Sequence, residues 1–449
     1  MNRTTDLLAK ITTFYSWILW ILYLFFCGEN GYQGIVGGKY AMFLVICGGY
    51  ILIMGLLGIE CILIGKAKVP SLAGLWNKSS WTQRFSLAYL NLTWISALAS
   101  PYLPETIVGV SRYEGALTIT IYVLSFLLVS RFGRATADLL VVLCLSTTLF
   151  GVLCILQLAG GTPFRLYPPG YGYQDAYVAY PGAYLGTIGN VDLVAAFLCV
   201  TIPILWVGLV RLRGPMQALT LVPLAISVFV LLDMWVLAGL VGVFGGGILM
   251  LPVVLPLPPR RRRALAGALL LAVVLCVVLV YAVDLGPGPF HELHAILHGN
   301  WNGTFGSGRL HIWRCVLERA PRQIWLGTGP DTMLYAELEP FTRHDVYGAL
   351  IVSRIDVAHN EYLNILFHQG VFALAAYVLT LYSAARSWIR TSGKDPVCAM
   401  LGGGALCYCV QAFFGFSMCI TAPYFWLVLG LLESRAANQN EERELCGKS

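Results

Sequence analysis

Apolar runs of about 20 residues, each long enough to cross a ~30 Å hydrocarbon core as helix, recur along almost the whole of this 449-residue chain. That pattern is the mark of a polytopic, all-α membrane protein. Composition agrees: 58% of the residues are hydrophobic and 12% charged, against roughly 25% charged in soluble domains. A water-soluble fold is excluded. The net charge of +6 matters less than where the basic residues lie. Of 13 cysteines, only Cys315 falls in a long hydrophilic stretch, a spacing that marks neither a disulfide framework nor a zinc site.

Between polar and Gly/Pro punctuation the apolar runs predict about twelve transmembrane helices, at 7–27, 40–64, 85–100, 115–130, 139–159, 191–210, 216–232, 236–257, 264–283, 361–387, 397–416 and 420–434. The first lacks a small-residue cleavage site and reads as a signal anchor. With the N-terminus in the cytoplasm, 20 of the 29 Lys and Arg, including Arg260 to Arg263, fall on the inner side. The short outer loops hold only Lys39, Arg112 and Arg165. This follows the positive-inside rule, so the span count and the orientation support each other. The predicted organisation is nine spans in 1–283, an extracytoplasmic loop over 284–360, three spans in 361–434 and a cytoplasmic tail over 435–449.

The long loop is rich in chemistry, with six of the seven histidines, six arginines and Trp301, Trp313 and Trp325. Loops of this length are functional or disordered, and this composition is that of a folded cap. Ser307 to Pro321 reads as a capped helix stopped by proline, with Leu310, Trp313, Val316, Leu317 and Ala320 on one stripe. Arg309 falls at the stripe's edge, where an inward guanidinium needs an anion: either a protein carboxylate or a ligand phosphate. Trp325-Leu326-Gly327-Thr328-Gly329-Pro330 reads as a turn. His359 opens the tenth span. Two roles are open to it, an interfacial cap or a base that takes a proton from a hydroxyl. Gly370, eleven residues on, is expected on the same helical face, where its small size admits a close neighbour. His291, His294 and His298 share a helix face, and without a carboxylate ligand there the expected role is a surface amphipathic helix rather than a metal site. Asp331, Glu337, Glu339, Asp345 and Asp356 have no acid-pair spacing and are expected to be solvated partners of the loop arginines.

Four stretches carry a resemblance: Ser111-Arg112-Tyr113-Glu114-Gly115, Gly186-Thr187-Ile188-Gly189-Asn190-Val191-Asp192, Gly308-Arg309-Leu310-His311-Ile312-Trp313 running on to Gly327-Thr328-Gly329-Pro330, and His359-Asn360-Glu361-Tyr362-Leu363 followed by Gly370. In order and topology the chain resembles the bacterial O-antigen ligase and O-antigen polymerase superfamily of membrane glycosyltransferases over nearly its full length. The resemblance implies a lipid-sugar-dependent glycosyltransferase fold in the bacterial cytoplasmic membrane, with the active site at its outer face. It implies transfer of a glycan from a polyprenyl-diphosphate carrier to a glycan, lipid or protein hydroxyl, without cofactor or metal. It also implies that His359 is the catalytic base and Arg309 the contact to the donor diphosphate, with Arg112 and Arg165 as secondary candidates for that charge. One departure stands out: where family members often carry a Ser-Arg-Gly-like sequence at the outer start of span eight, this chain has Asp233 to Gly239 and no arginine.

The chemistry of such a reaction suits these residues, since fixed arginines stabilise a departing diphosphate in a low-dielectric site. Direct displacement of the diphosphate predicts inversion at the anomeric carbon. A lipid-linked-oligosaccharide transporter is a competing reading, and it predicts ionisable residues along several spans or repeat-related broken helices. A non-catalytic scaffold for envelope assembly is another, and it predicts indifference to loss of His359. Ligase, polymerase and protein O-glycosyltransferase share the donor and differ in the acceptor, for which the sequence carries no motif.

Overall fold

The computed structural model describes residues 3–64, 71–175, 184–344 and 350–446. Asp345, together with Lys66, Lys68 and Lys448 of the basic count, lies outside them. A helix stands at each of the twelve expected runs. Among the described residues, seven helices are long and apolar enough to cross a membrane. The chain is a multi-pass membrane protein.

Helix Val191–Arg211 is the axis of the bundle and is buried along most of its length. Its neighbour Pro396–Gln411 approaches closely because it presents Gly402, Gly403 and Gly404, and a Cβ at Gly404 would lie 2.6 Å from the Val200 carbonyl oxygen. Small residues at crossings are how helices associate where lipid tails are as apolar as leucine. Helix Pro259–Ala282 is the opposite case and is exposed along most of its length. Lys39, 1% exposed, donates from Nζ to the carbonyls of Tyr23 (2.6 Å) and Leu24 (3.0 Å). It thereby satisfies the end of the first helix, whose last turn, Leu19–Tyr23, is π-helical.

Several expectations are corrected. The eleventh helix ends at Gln411 and the next begins at Ala422, so residues 412–416 and 420–421 are loop rather than span. Phe413, Phe414 and Phe416 kept this stretch apolar enough to be placed in a span, whereas their rings contact other side chains of the protein. The last helix, Ala422–Cys446, continues through most of the expected tail. In the long segment before Glu361, helices Pro289–Leu297 and Arg309–Arg319 appear, but the second starts at Gly308 in the left-handed region with no side-chain cap. Its buried face is Ile312, Cys315, Val316 and Ala320, and Leu317 is half exposed. A short antiparallel hairpin, Phe341–His344 with Leu350–Ser353, departs from the all-helical pattern.

Helix Glu361–Thr391 is broken at Gly370 (φ 82°, ψ 176°), so Gly370 does not continue the face of the first turns. The break frees the carbonyls of Phe367 and His368. They accept from Thr328 N (3.0 Å) and Gly329 N (2.8 Å), and Val371 N donates to the Ile324 carbonyl (2.8 Å). Ser96 Oγ of helix Trp81–Ala99 also donates to the His368 carbonyl (2.9 Å). The turn at 325–329 is thus a plug in a helix break. A Cβ at Gly370 would overlap the Trp325 carbonyl, on a backbone that L-residues rarely adopt. Gly370→Ala is expected to lower stability by roughly 2–3 kcal/mol, read as a lower unfolding midpoint in detergent; an unchanged midpoint contradicts this packing.

Candidate active site

Three helices begin at one place: Ala116–Phe132, Val191–Arg211 and Glu361–Thr391. Their N-terminal approaches carry Arg112, Asp192 and His359, and helix Arg309–Arg319 brings Arg309 to the same place. Helix N-termini carry partial positive charge, which favours an anion here.

His359 immediately precedes Asn360, whose side chain caps the helix by accepting from Leu363 N (3.1 Å). His359 itself has φ 47°, a left-handed conformation that costs a non-glycine residue about 1–2 kcal/mol. Its neighbour Ala358 holds it there: the Ala358 carbonyl accepts from Trp313 Nε1 (2.9 Å) and its N–H donates to Asn364 Oδ1 (2.8 Å). The arginine-bearing helix and the histidine turn are therefore bonded directly to each other. The His359 ring stands edge-on to Phe416, with centroids 5.2 Å apart, and Nδ1 is buried without a hydrogen-bond partner among the described residues.

The other face of the site is cationic. Arg112 lies over the Phe416 ring (4.9 Å) and makes a two-point pair with Asp356, at 2.8 and 3.2 Å. Arg309 donates to the carbonyls of Phe414 (3.2 Å) and Gly306 (3.0 Å), and its ion pair with Asp192 is long, at 3.9 Å. Arg309 is thus the less neutralised of the two. Burial pushes the His359 pKa down to about 3, with Arg309 and Arg112 adding to the fall and Asp356 opposing it. The imidazole is neutral at physiological pH, the form in which it accepts a proton.

Arg165 stands apart. It is exposed, at φ 49°, and lines a cavity of about 720 Å³ with Asn30, Gln33, Thr162 and Tyr167. Among the described residues no hydrogen bond or ion pair joins it to Arg112, Arg309 or His359. His291 pairs with Asp284 (2.8 Å), and the His294 and His298 rings lie against each other.

The loop acids differ from expectation. Glu339 does pair with a loop arginine, Arg314 (3.4 Å). Asp356 instead reaches Arg112, and Asp331, 4% exposed, accepts from Ser111 N (3.0 Å), Ser111 Oγ (3.0 Å) and Arg112 N (2.8 Å). Burial raises the Asp331 carboxyl, against the pull of those donors. Asp331 is a positioning residue that ties the 111–112 backbone to the long loop. Sequence reasoning missed it, along with Phe416 and the partnership of Asp192, because each acts across more than 100 residues of chain. Beneath Phe416 lies a polar cavity of about 50 Å³, room for about three or four waters, lined by Arg112, Glu114, Glu361, His368 and Gln369 among others. Burial holds the Glu114 carboxyl well above the usual carboxylate range. Asp331→Ala is expected to cost about 1–3 kcal/mol and to weaken binding of an anionic ligand at Arg112; an unchanged affinity contradicts the positioning role.

Comparison with known proteins bears on the central part of the chain. Residues 223–378 match the family model described as O-antigen ligase, roughly a third of the sequence. The match includes Arg309, Asp331, Asp356 and His359 and leaves out Arg112, Asp192 and Phe416. No curated protein matches the chain. Over these residues the chain is similar to the O-antigen ligase family.

Proposed function

We propose that the protein is a membrane glycosyltransferase that moves a glycan from a polyprenyl-diphosphate carrier to an acceptor hydroxyl at the outer face of the cytoplasmic membrane, with both termini in the cytoplasm. The observation that carries this reading is the meeting of a neutral imidazole whose Nδ1 is buried without a partner among the described residues with an incompletely neutralised arginine. Arg309 binds the donor diphosphate, and Arg112 adds charge on the other side of Phe416. His359 takes the acceptor proton as its oxygen attacks the anomeric carbon. The bond to the diphosphate breaks, and the arginines stabilise the leaving charge without passing the step through a metal. Arg165, in its separate cavity, is a peripheral contact to donor or acceptor.

Donor binding also prepares the base. A free-enzyme histidine with a pKa of about 3 is a weak acceptor, and the best general base has a pKa near the working pH. One unit charge about 4 Å away at an effective dielectric near 20 is worth about 4 kcal/mol, or roughly three pH units of proton affinity. A bound diphosphate therefore opposes burial and the two guanidiniums and raises the His359 pKa toward the working pH.

The test is transfer from a polyprenyl-diphosphate-linked glycan by purified protein in nanodiscs, without added divalent metal. His359→Ala and Arg309→Ala are each expected to lower turnover by at least about 100-fold, and Arg165→Ala by less than about tenfold. Turnover indifferent to His359 overturns the assignment and favours a transporter or scaffold. The product's size ladder separates ligase from polymerase.

The pH dependence is a second check. kcat is expected to fall as pH drops through the raised His359 pKa of the donor complex, whereas kcat/KM for the free enzyme shows no histidine step between pH 5 and 8, a range above the value of about 3. A histidine step near 6.5 in kcat/KM contradicts the buried, neutral imidazole.

A further inference from the structure

Two residues beyond Arg309, the same helix carries a second cluster on another face. His311 and Cys315 stand one turn apart, and Glu339 reaches them from the segment that leads into the hairpin. One ligand atom from each residue, a ring nitrogen, the thiol sulfur and a carboxylate oxygen, lies within 4.8 Å of the others. The contact between His311 Nε2 and Cys315 Sγ is 3.5 Å. Zinc bonds of about 2.05 Å to nitrogen and 2.3 Å to sulfur, at the tetrahedral angle, separate those two atoms by about 3.6 Å. We propose that His311, Cys315 and Glu339 form a zinc(II) site, with water completing four ligands.

The chemistry of the donors selects the metal. Imidazole and thiolate suit zinc, whereas magnesium and calcium prefer all-oxygen shells. The Cys315 side chain is 6% exposed, and zinc binding displaces its thiol proton to solvent. His311 Nε2 also lies 3.2 Å from the Glu339 carbonyl, a contact that brings the two segments together without metal and that is given up when the nitrogen binds zinc. The Glu339 carboxylate is held by Arg314 at 3.4 Å, but both side chains are largely exposed, and Arg314 has a second partner in Glu318 at 3.7 Å. Exchanging that exposed ion pair for a metal bond costs little, since such pairs are worth about 0–1 kcal/mol. Spacing along the chain conceals this site, because Glu339 lies 24 residues beyond Cys315 and no ligand-pair motif joins them.

Such a site would staple the helix that bears Arg309 to the segment before the hairpin, away from the reacting atoms. Its test is independent of glycan transfer. The full-length protein in detergent is stripped with a chelator, dialysed and titrated with cobalt(II), then with zinc(II). The expected result is one equivalent of cobalt with a near-ultraviolet thiolate-to-metal band and tetrahedral visible bands, displaced by zinc. His311→Gln and Cys315→Ser are expected to weaken binding by at least about 100-fold. Glu339→Gln, at an exposed position, serves as the variant least able to disturb folding, and it too is expected to lower affinity. Cobalt bound without a thiolate band, as exposed His291, His294 and His298 would bind it, or an affinity unchanged in all three variants, overturns the site.

Discussion

A helix broken inside a bundle leaves carbonyls that must find donors, and the break at Gly370 is the constraint on which the rest of the site depends. Water cannot supply those donors in an apolar surround, and an unmade hydrogen bond there costs several kcal/mol. The Gly327-Thr328-Gly329 turn supplies them from the long loop, while Ser96 closes the other side. The loop is thereby clamped onto helix Glu361–Thr391 at one end, and Trp313 bonds it to the turn of His359 at the other. Trp313 lies one turn beyond Arg309 on the same helix, so these clamps limit where the loop sets Arg309.

Electrostatics then decide what the site can bind. Two guanidiniums and two carboxylates, those of Asp192 and Asp356, gather about one neutral imidazole. The pairing is uneven, tight at Arg112 and long at Arg309. In the proposed function an entering anion gains most from Arg309 and its charge restores basicity to His359, so donor binding and base activation are there one electrostatic event. The zinc proposal adds a further tether to the helix that bears Arg309.

Much of this was legible in the sequence. Apolar runs located the helices because a ~30 Å hydrocarbon core imposes their length, and His359 and Arg309 were singled out as candidates by motif and by their position at element ends. Gly370 was noticed but misread, since helical periodicity assumes an unbroken ladder. Phe414 and Phe416 were assigned to a span because hydropathy cannot tell a ring that faces lipid from one that carries a guanidinium on its face. Asp331 was read as a solvated acid. Its backbone partners at 111 and 112 lie far away in sequence, and only the fold brings them together. The same holds for Glu339 beside His311 and Cys315, where tertiary contact supplies the third ligand.

The central claim is that Arg309 holds the donor while His359 moves the proton, and separating binding from turnover tests it most directly. Affinity for a polyprenyl diphosphate and single-turnover transfer are measured side by side for the wild type, Arg309→Ala and His359→Gln. The account expects His359→Gln to bind the diphosphate within a few-fold of wild type and to fail in transfer, and Arg309→Ala to lose both. Transfer at the wild-type rate by His359→Gln, or undiminished affinity in Arg309→Ala, would contradict it.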